Sequence, residues 1–212
     1  MAAPEPVRAD LAALTTSRLI TVWADAEIPP VGAGDPAVAV RLALRSLARR
    51  VQHPSSEITD LDKILSSLVA AIAPKLLAVN GVGADSAGQL LVSAGDNPDR
   101  LRSEAAFAML CGVAPLPASS GRTHRYRLNR GGDRQANAAL YRVVLCRLRW
   151  DPATQAYAQR RTAEGKTKKE IIRCLKRYVT REIYAIITSG ATEIRQKGDN
   201  EEVSEARKRA SW

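Results

Sequence analysis

The chain has 212 residues, 45% of them hydrophobic, with 32 Lys and Arg against 22 Asp and Glu, for a net charge of +10. That length suits one domain with a helical extension, and the basic balance agrees with a nucleic-acid partner, though a solvated basic face has the same composition. No apolar run approaches the roughly 20 residues that a membrane span needs, and no signal-peptide pattern opens the sequence. Aromatic residues make up only 4%, so Ala, Leu, Val and Ile must fill the core, as in helical proteins. Cys111, Cys146 and Cys174 are odd in number and far apart, and the histidines are His53 and His124. No zinc site is expected from them; reduced thiols in a cytosolic protein are.

In chain order, residues 7–24 read as one short helix and Pro29-Pro30-Val-Gly-Ala-Gly34 as a linker, which closes an N-terminal segment of residues 1–34. Asp35-Pro36 is a helix start, because Asp caps free amides and Pro suits the first turn. The helix continues through Arg49 and is expected to break at Pro54. Ser55-Ser56 opens a second helix carrying Ile58, Leu61, Ile64, Leu65, Leu68 and Ile72 at three-to-four spacing. Residues 35–73 thus form a helical hairpin or a coiled-coil arm. Asn80-Gly81-Val82-Gly83 lies between apolar helices at Leu76–Val79 and Asp85–Val92, a helix-hairpin-helix pattern. Gly81 and Gly83 are candidate phosphate-binding positions, since glycines let the turn lie against a phosphate at a helix N-terminus. A purely structural tight turn fits the same residues.

A helix up to Cys111 leads to the one region where strand is expected, Val113 to Arg130. In Thr123-His-Arg-Tyr-Arg-Leu-Asn-Arg130, alternation puts Thr123, Arg125, Arg127 and Asn129 on one face and His124, Tyr126 and Leu128 on the other. Asp133 then caps a helix to about Arg149, with Arg134, Arg142 and Arg149 opposite Ala136, Ala139, Leu140 and Val143. Asp151-Pro152 starts the next helix, Gly165 stops it, and Thr167 caps the last. That last helix buries Ile171, Ile172, Leu175, Val179, Ile183 and Ile186, with Lys169, Arg173, Lys176, Arg177 and Arg181 off the stripe. Residues 74–188 form the main domain, and 189–212 read as a charged, flexible tail. The expected fold class is mainly α: a helical arm, then a helix-hairpin-helix-containing helical domain with a small β-hairpin.

Charge is concentrated from Gly121 to Arg181, with 17 basic and 4 acidic residues. Such a block attracts nucleic-acid phosphates through counterion release. Within it, Ser119-Ser120-Gly121 sits at the mouth of an arginine ladder: Arg122, Arg125, Arg127, Arg130 and Arg134. A serine attacking phosphorus needs close backbone approach, which glycine permits, and cations to stabilise charge on the phosphoryl oxygens. An ordinary turn followed by a basic hairpin that grips phosphate without chemistry has the same composition.

Five spaced segments carry a resemblance. They are Leu76 to Leu91, Ala105-Ala-Phe-Ala-Met-Leu-Cys-Gly-Val-Ala-Pro115, Ser119-Ser120-Gly121, Leu128-Asn-Arg-Gly-Gly-Asp-Arg-Gln-Ala-Asn-Ala-Ala-Leu140, and Arg161-Thr-Ala-Glu-Gly-Lys166 with Ile171 to Tyr178. In this order they resemble the C-terminal domain of the IS110/IS116/IS902 insertion-sequence transposases, over roughly residues 36–188. The resemblance implies a two-part recombinase in which an N-terminal RuvC-like domain supplies a DEDD cluster for divalent metal and the C-terminal domain supplies a serine. It also implies a bridge RNA that pairs with donor and target DNA, and a homo-oligomer. The family serine, just before the glycine, falls on Ser120, with Ser119 the competing assignment.

A RuvC-like domain needs a multi-strand sheet and on the order of 100 residues or more, whereas about 35 residues precede the matched region. Those contain Asp10, Asp25, Glu27 and Asp35 but no β-branched run to hold an aspartate on a central strand. The DEDD domain is therefore expected to be absent and the chain to be a truncated transposase. On that expectation the chain itself binds no metal, Mg2+ enters only with the missing domain, and the chain is inactive alone. The partners expected are DNA and a non-coding guide RNA, in a prokaryotic cytoplasm at the nucleoid, with no membrane. The alternative function is a non-catalytic DNA/RNA-binding helix-hairpin-helix module; a structural RNA-binding protein would look similar.

Overall fold

A computed structural model describes residues 5–28, 35–95, 101–118 and 126–210. These residues are mainly helical, with one two-stranded antiparallel ribbon among them. The chain divides into two compact units, residues 1–64 and 65–212.

In the first unit, α1 (Glu5–Ala12) and α2 (Thr16–Ala24) precede the first part of α3 (Pro36–Ile72). The single helix expected over residues 7–24 is interrupted. Leu14 donates its amide back to the Leu11 carbonyl at 3.2 Å in a tight turn, and Thr15 takes an extended conformation as the N-cap of α2. Thr15 and Thr16 are β-branched residues of low helix propensity, so the break falls where the helix is weakest. Val7, Trp23, Ala24 and Ala48 form a small core.

The start of α3 is as the sequence predicts: the Asp35 carboxylate accepts from the Ala37 amide at 2.8 Å. The expected break at Pro54 does not occur, and the helix runs unbroken from Pro36 to Ile72. Residues 36–72 are therefore one helix and not two antiparallel ones. Proline in a helix interior deprives the carbonyl four residues back of its donor. Here the surrounding turn is exposed, so water can reach the orphaned group. Hydroxyls also bond the neighbouring backbone, Ser55 Oγ to the Val51 oxygen at 2.7 Å and Ser56 Oγ to the His53 oxygen at 2.9 Å.

The second unit is built around α7 (Arg134–Trp150). It packs against α5 (Ala84–Ala94), α8 (Pro152–Ala163) and α9 (Lys168–Ala210), while α6 (Glu104–Leu110) packs on α9. The one-turn α4 (Pro74–Leu77) joins the same core. The predicted apolar faces are the buried ones. Ala136, Ala139, Leu140 and Val143 of α7 are buried, and so are Ile171, Leu175, Val179 and Ile183 of α9. Ile172 and Ile186 pack partly against them. The caps also follow the sequence. Asp133 accepts from the Gln135 and Ala136 amides, and Asp151 from Thr154, with Pro152 in the first turn of α8. Thr167 and Glu170 exchange bonds in a capping box at the start of α9. α9 continues to Ala210, through the segment read as a flexible tail; its Glu, Lys, Arg and Ala are strong helix formers.

The ribbon pairs β1 (Leu116–Pro117) with β2 (Tyr126–Arg127), Leu116 opposite Arg127 and Pro117 opposite Tyr126. It is far shorter than the expected strand region. Tyr126 and Leu128 are largely exposed at 66% and 49%, so alternation here does not sort a buried face from a wet one.

At the root of this hairpin two backbones touch. A Cβ added at Gly132 would lie 2.2 Å from the Gly112 nitrogen, 2.4 Å from its Cα and 2.8 Å from the Leu110 oxygen. One added at Gly131 would meet only the Asn129 side chain, at 3.6 Å. Gly132→Ala should therefore destabilise the protein by about 2 kcal/mol or more, as overpacking against rigid backbone does. Gly131→Ala should change it by less than about 1 kcal/mol. Urea unfolding of the two variants checks the contrast.

Candidate nucleic-acid interface

The hairpin is anchored at its base by a polar network around the Gly112–Gly132 approach. The Asp133 amide donates to the Leu110 carbonyl at 2.6 Å, and the Ser93 hydroxyl donates to the Asp133 carboxylate at 2.6 Å. The Ser93 bond, with the Gln135 and Ala136 amides, holds the Asp133 carboxyl below its ordinary range. Asn129 donates to the Met109 carbonyl at 3.2 Å and accepts from the Gly131 amide at 3.0 Å. Asn137 donates to the carbonyls of Cys111 and Gly112 at 2.8 and 3.2 Å. Burial, with the nearby Asp133 charge, pushes the Cys111 thiol up to about 12, so it stays protonated.

Lys176 completes the network and departs from its expected place on the solvent side of α9. It is 7% exposed and donates from Nζ to Asn137 Oδ1 at 2.8 Å. Position 176 lies one helical turn from both Ile172 and Thr180, at the edge of the apolar stripe. Its amine therefore crosses from α9 to the α7 side chain that holds the 111–112 turn. Burial, with the Arg173 charge beside it, lowers the Lys176 ammonium below its usual range. Glu104 was also silent in the sequence. It pairs with Arg177 and lies 3.9 Å from Arg181, tying α6 to α9.

The predicted site residues divide into three groups. Ser120 and its competitor Ser119, with Gly121, Arg122 and Arg125, lie outside the described residues. Arg127, Arg130 and Arg134 are exposed and follow the hairpin into the first turn of α7. Among the described residues none offers them an acidic partner. Arg134 stands at the positive end of the helix dipole, where a cation is disfavoured unless an anion joins it. The third group is the glycine turn. Gly81 has φ +77°, and a Cβ there would meet Arg147 Cγ and the Val143 carbonyl, each at 3.1 Å. Arg147 donates from Nε to the Asn80 carbonyl at 2.7 Å and from Nη2 to Glu182 at 2.9 Å. Gly81 is thus required by a left-handed turn packed on α7. Gly83, the N-cap of α5, is exposed and its Cβ position is open. Asp85 in the next turn pairs with Arg142 at 2.7 Å.

Among the described residues no three His, Cys, Asp or Glu side chains come together as a metal site. None of the helices among them is long and apolar enough to cross a membrane.

Arg127, Arg130 and Arg134 thus form an exposed basic surface along the hairpin and the start of α7. Residues 73–159, which contain it, match the model of the Transposase IS116/IS110/IS902 family. The chain is 30% identical over 152 residues to the insertion element IS110 uncharacterized 43.6 kDa protein of Streptomyces coelicolor, covering 70% of this chain and 37% of that protein. It is 27% identical over 148 residues to the insertion element IS900 uncharacterized 42 kDa protein of Mycobacterium paratuberculosis, covering 68% and 37%. It is 30% identical over 146 residues to the pilin gene-inverting protein of Moraxella bovis, covering 65% and 45%. The chain thus spans less than half the length of each of these relatives.

The Lys176 amine gives a pH-dependent signature. Its folded value lies below the unfolded 10.5, so between the two the unfolded chain holds a proton that the folded chain lacks. Stability contributed by this group therefore rises with pH across that window. Wild type should gain stability relative to Lys176→Met as pH is raised from about 8 to about 10 in urea unfolding, the side of the ordinary lysine value on which the lowered group titrates. A constant difference would mean that Lys176 keeps its ordinary value.

Proposed function

We propose that the chain is the serine-bearing part of a DNA transposase or recombinase. The observation that carries this is that the family match over residues 73–159 contains both the Ser119-Ser120-Gly121 turn and Arg127, Arg130 and Arg134, which have no acidic partner among the described residues. In this reading Ser120 Oγ attacks a DNA phosphorus, an O–P bond forms to serine, and the bond to the 3′ oxygen breaks to leave a 3′ hydroxyl. The phosphoserine link conserves the energy of the phosphodiester, so strands rejoin without ATP. The arginines hold the phosphate and stabilise charge on its oxygens. In this reading a RuvC-like DEDD domain completes the centre and supplies the divalent cation. A guide RNA is the second nucleic-acid partner.

The same reading takes the protein as a homo-oligomer. Ile58, Leu61, Leu68 and Ile72 on α3 are between 55% and 64% exposed. With Leu65 they alternate at three and four residues, the spacing of a coiled-coil seam.

The chemical test supplies a related DEDD domain, its RNA and a DNA substrate, and traps the covalent adduct. The adduct should map to Ser120 by mass spectrometry, vanish in Ser120→Ala and persist in Ser119→Ala. An adduct on Ser119, or on neither serine, overturns the assignment. Binding has its own readout. Arg127→Ala with Arg130→Ala should reduce the slope of log K against log salt on duplex DNA by about 1.8, at about 0.9 for each phosphate no longer neutralised.

A further inference from the structure

A second basic surface lies on α3, outside the matched residues 73–159 and outside the basic block read from the sequence. From Pro36 to Ser56 the helix carries Arg41, Arg45, Arg49, Arg50 and His53 and has no acidic residue. Leu42, Arg45, Ser46, Arg49, Arg50 and His53 recur at three and four residues, so they share one face. With Pro54 they line an open groove of roughly 770 Å³.

Two of its arginines are held in place. Arg45 Nη1 donates to the Ala26 carbonyl at 3.5 Å, and Arg49 Nε donates to the Ala24 carbonyl at 2.9 Å. A capping role at the end of α2 accounts for these two bonds. It does not account for the rest of the face. A guanidinium has five N–H donors, and the bond to Ala24 engages only the Nε of Arg49. Arg50, exposed on the same face, has no acidic partner among the described residues. His53 pairs with Glu57 at 3.7 Å, at the far end of the groove.

Arg45, Arg49 and Arg50 share this face with no carboxylate on their own stretch of helix and, among the described residues, no ion pair to Asp25 or Glu27 at the end of α2, so their like charges favour an anion between them. Guanidinium edges held by backbone carbonyls have already given up much of the side-chain freedom that binding would otherwise cost. Several guanidiniums along an open groove suit successive phosphates better than one small anion.

From this we infer that the Arg45–Arg49–Arg50 face of α3 binds a nucleic-acid phosphate backbone, as a second binding surface separate from the hairpin at Arg127 and Arg130. The inference rests on the proposed nucleic-acid-binding function and adds to it a surface in the first structural unit. The occupant is duplex DNA, the polyanion on which the proposed serine acts, and single-stranded RNA is the other outcome the test distinguishes.

The test uses the full chain and avoids Arg45, whose removal could loosen α2. Fluorescence anisotropy would follow binding of a labelled mixed-sequence DNA duplex, and separately a labelled single-stranded RNA, over a range of salt concentrations. The variants are Arg50→Gln, Arg49→Gln with Arg50→Gln, and Arg127→Ala with Arg130→Ala, each checked by circular dichroism and thermal melting. Arg50→Gln breaks no ion pair among the described residues and keeps the test valid if the double variant melts early. Arg50→Gln should lower the salt slope by about 0.9 on duplex or about 0.7 on single strands, and the Arg49, Arg50 pair by about twice that. The probe whose slope falls in the α3 variants, while the other's does not, identifies the occupant. A drop in the α3 variants supports the inference, even if the hairpin variant shows none and the hairpin assignment falls. Unchanged slopes on both probes in folded α3 variants overturn the inference and leave the proposed function standing. Failure of wild type to bind either probe overturns both.

Discussion

The close approach of Gly112 to Gly132 sets where everything else at the hairpin can be. With no side chain at residue 132, the 129–133 loop comes against the end of α6, and the Asp133 amide reaches the Leu110 carbonyl at 2.6 Å. That approach brings the first turn of α7 beside the chain that leaves α6. The two arms of the ribbon, Leu116–Pro117 and Tyr126–Arg127, then emerge from neighbouring points. The polar groups around the approach are paired in the way that low-dielectric surroundings demand. Asp133 serves the α7 amides and Ser93, and Asn137 serves two carbonyls while accepting from Lys176.

Lys176 draws α9 into the same arrangement. An ammonium buried to 7% exposure is costly unless its protons are used, and Asn137 gives it a neutral partner where a carboxylate would bind more tightly. The result is a chain of side-chain bonds running from α9 through α7 to the 111–112 turn. Removing the amine would leave the Asn137 oxygen without this donor.

What could be read from the sequence was local. The caps at Asp35, Asp133, Asp151 and Thr167, and the apolar stripes of α7 and α9, depend on residues within a few positions of one another, and the structure has them where spacing and capping chemistry put them. What could not be read depended on surroundings. Pro54 does not end α3, because in an exposed turn water can reach the carbonyl four residues back. Lys176 is buried because α7 offers it an oxygen, which no helical wheel of α9 records. Glu104 meets Arg177 and Arg181 from across the sequence, beyond the reach of any spacing rule. Of the candidate site, Arg127, Arg130 and Arg134 are exposed as their polarity predicts, while the serine turn lies outside the described residues and is known as a motif alone.

The basic block is also smaller, as a binding surface, than its composition suggests. Arg142 is engaged with Asp85, Arg147 with Asn80 and Glu182, Arg161 with Glu164, and Arg177 with Glu104. Lys176 is inside the core network. All but Arg161, whose partner Glu164 caps its own helix, tie helices to one another, and a phosphate would have to displace a protein partner to reach any of them. Gly81 belongs with this group: its left-handed turn is set by the packing of Arg147 and Val143, so a structural demand explains the glycine without a ligand. Net charge therefore overstates the surface from Gly121 to Arg181. It understates α3, where the acid-free stretch from Pro36 to Ser56 is followed by Glu57, Asp60 and Asp62, so that a count over the whole arm nearly cancels. Polyanion affinity follows the cations that lack a carboxylate beside them, and among the described residues these include Arg127, Arg130 and Arg134 at the hairpin root and Arg45, Arg49 and Arg50 on the first half of α3.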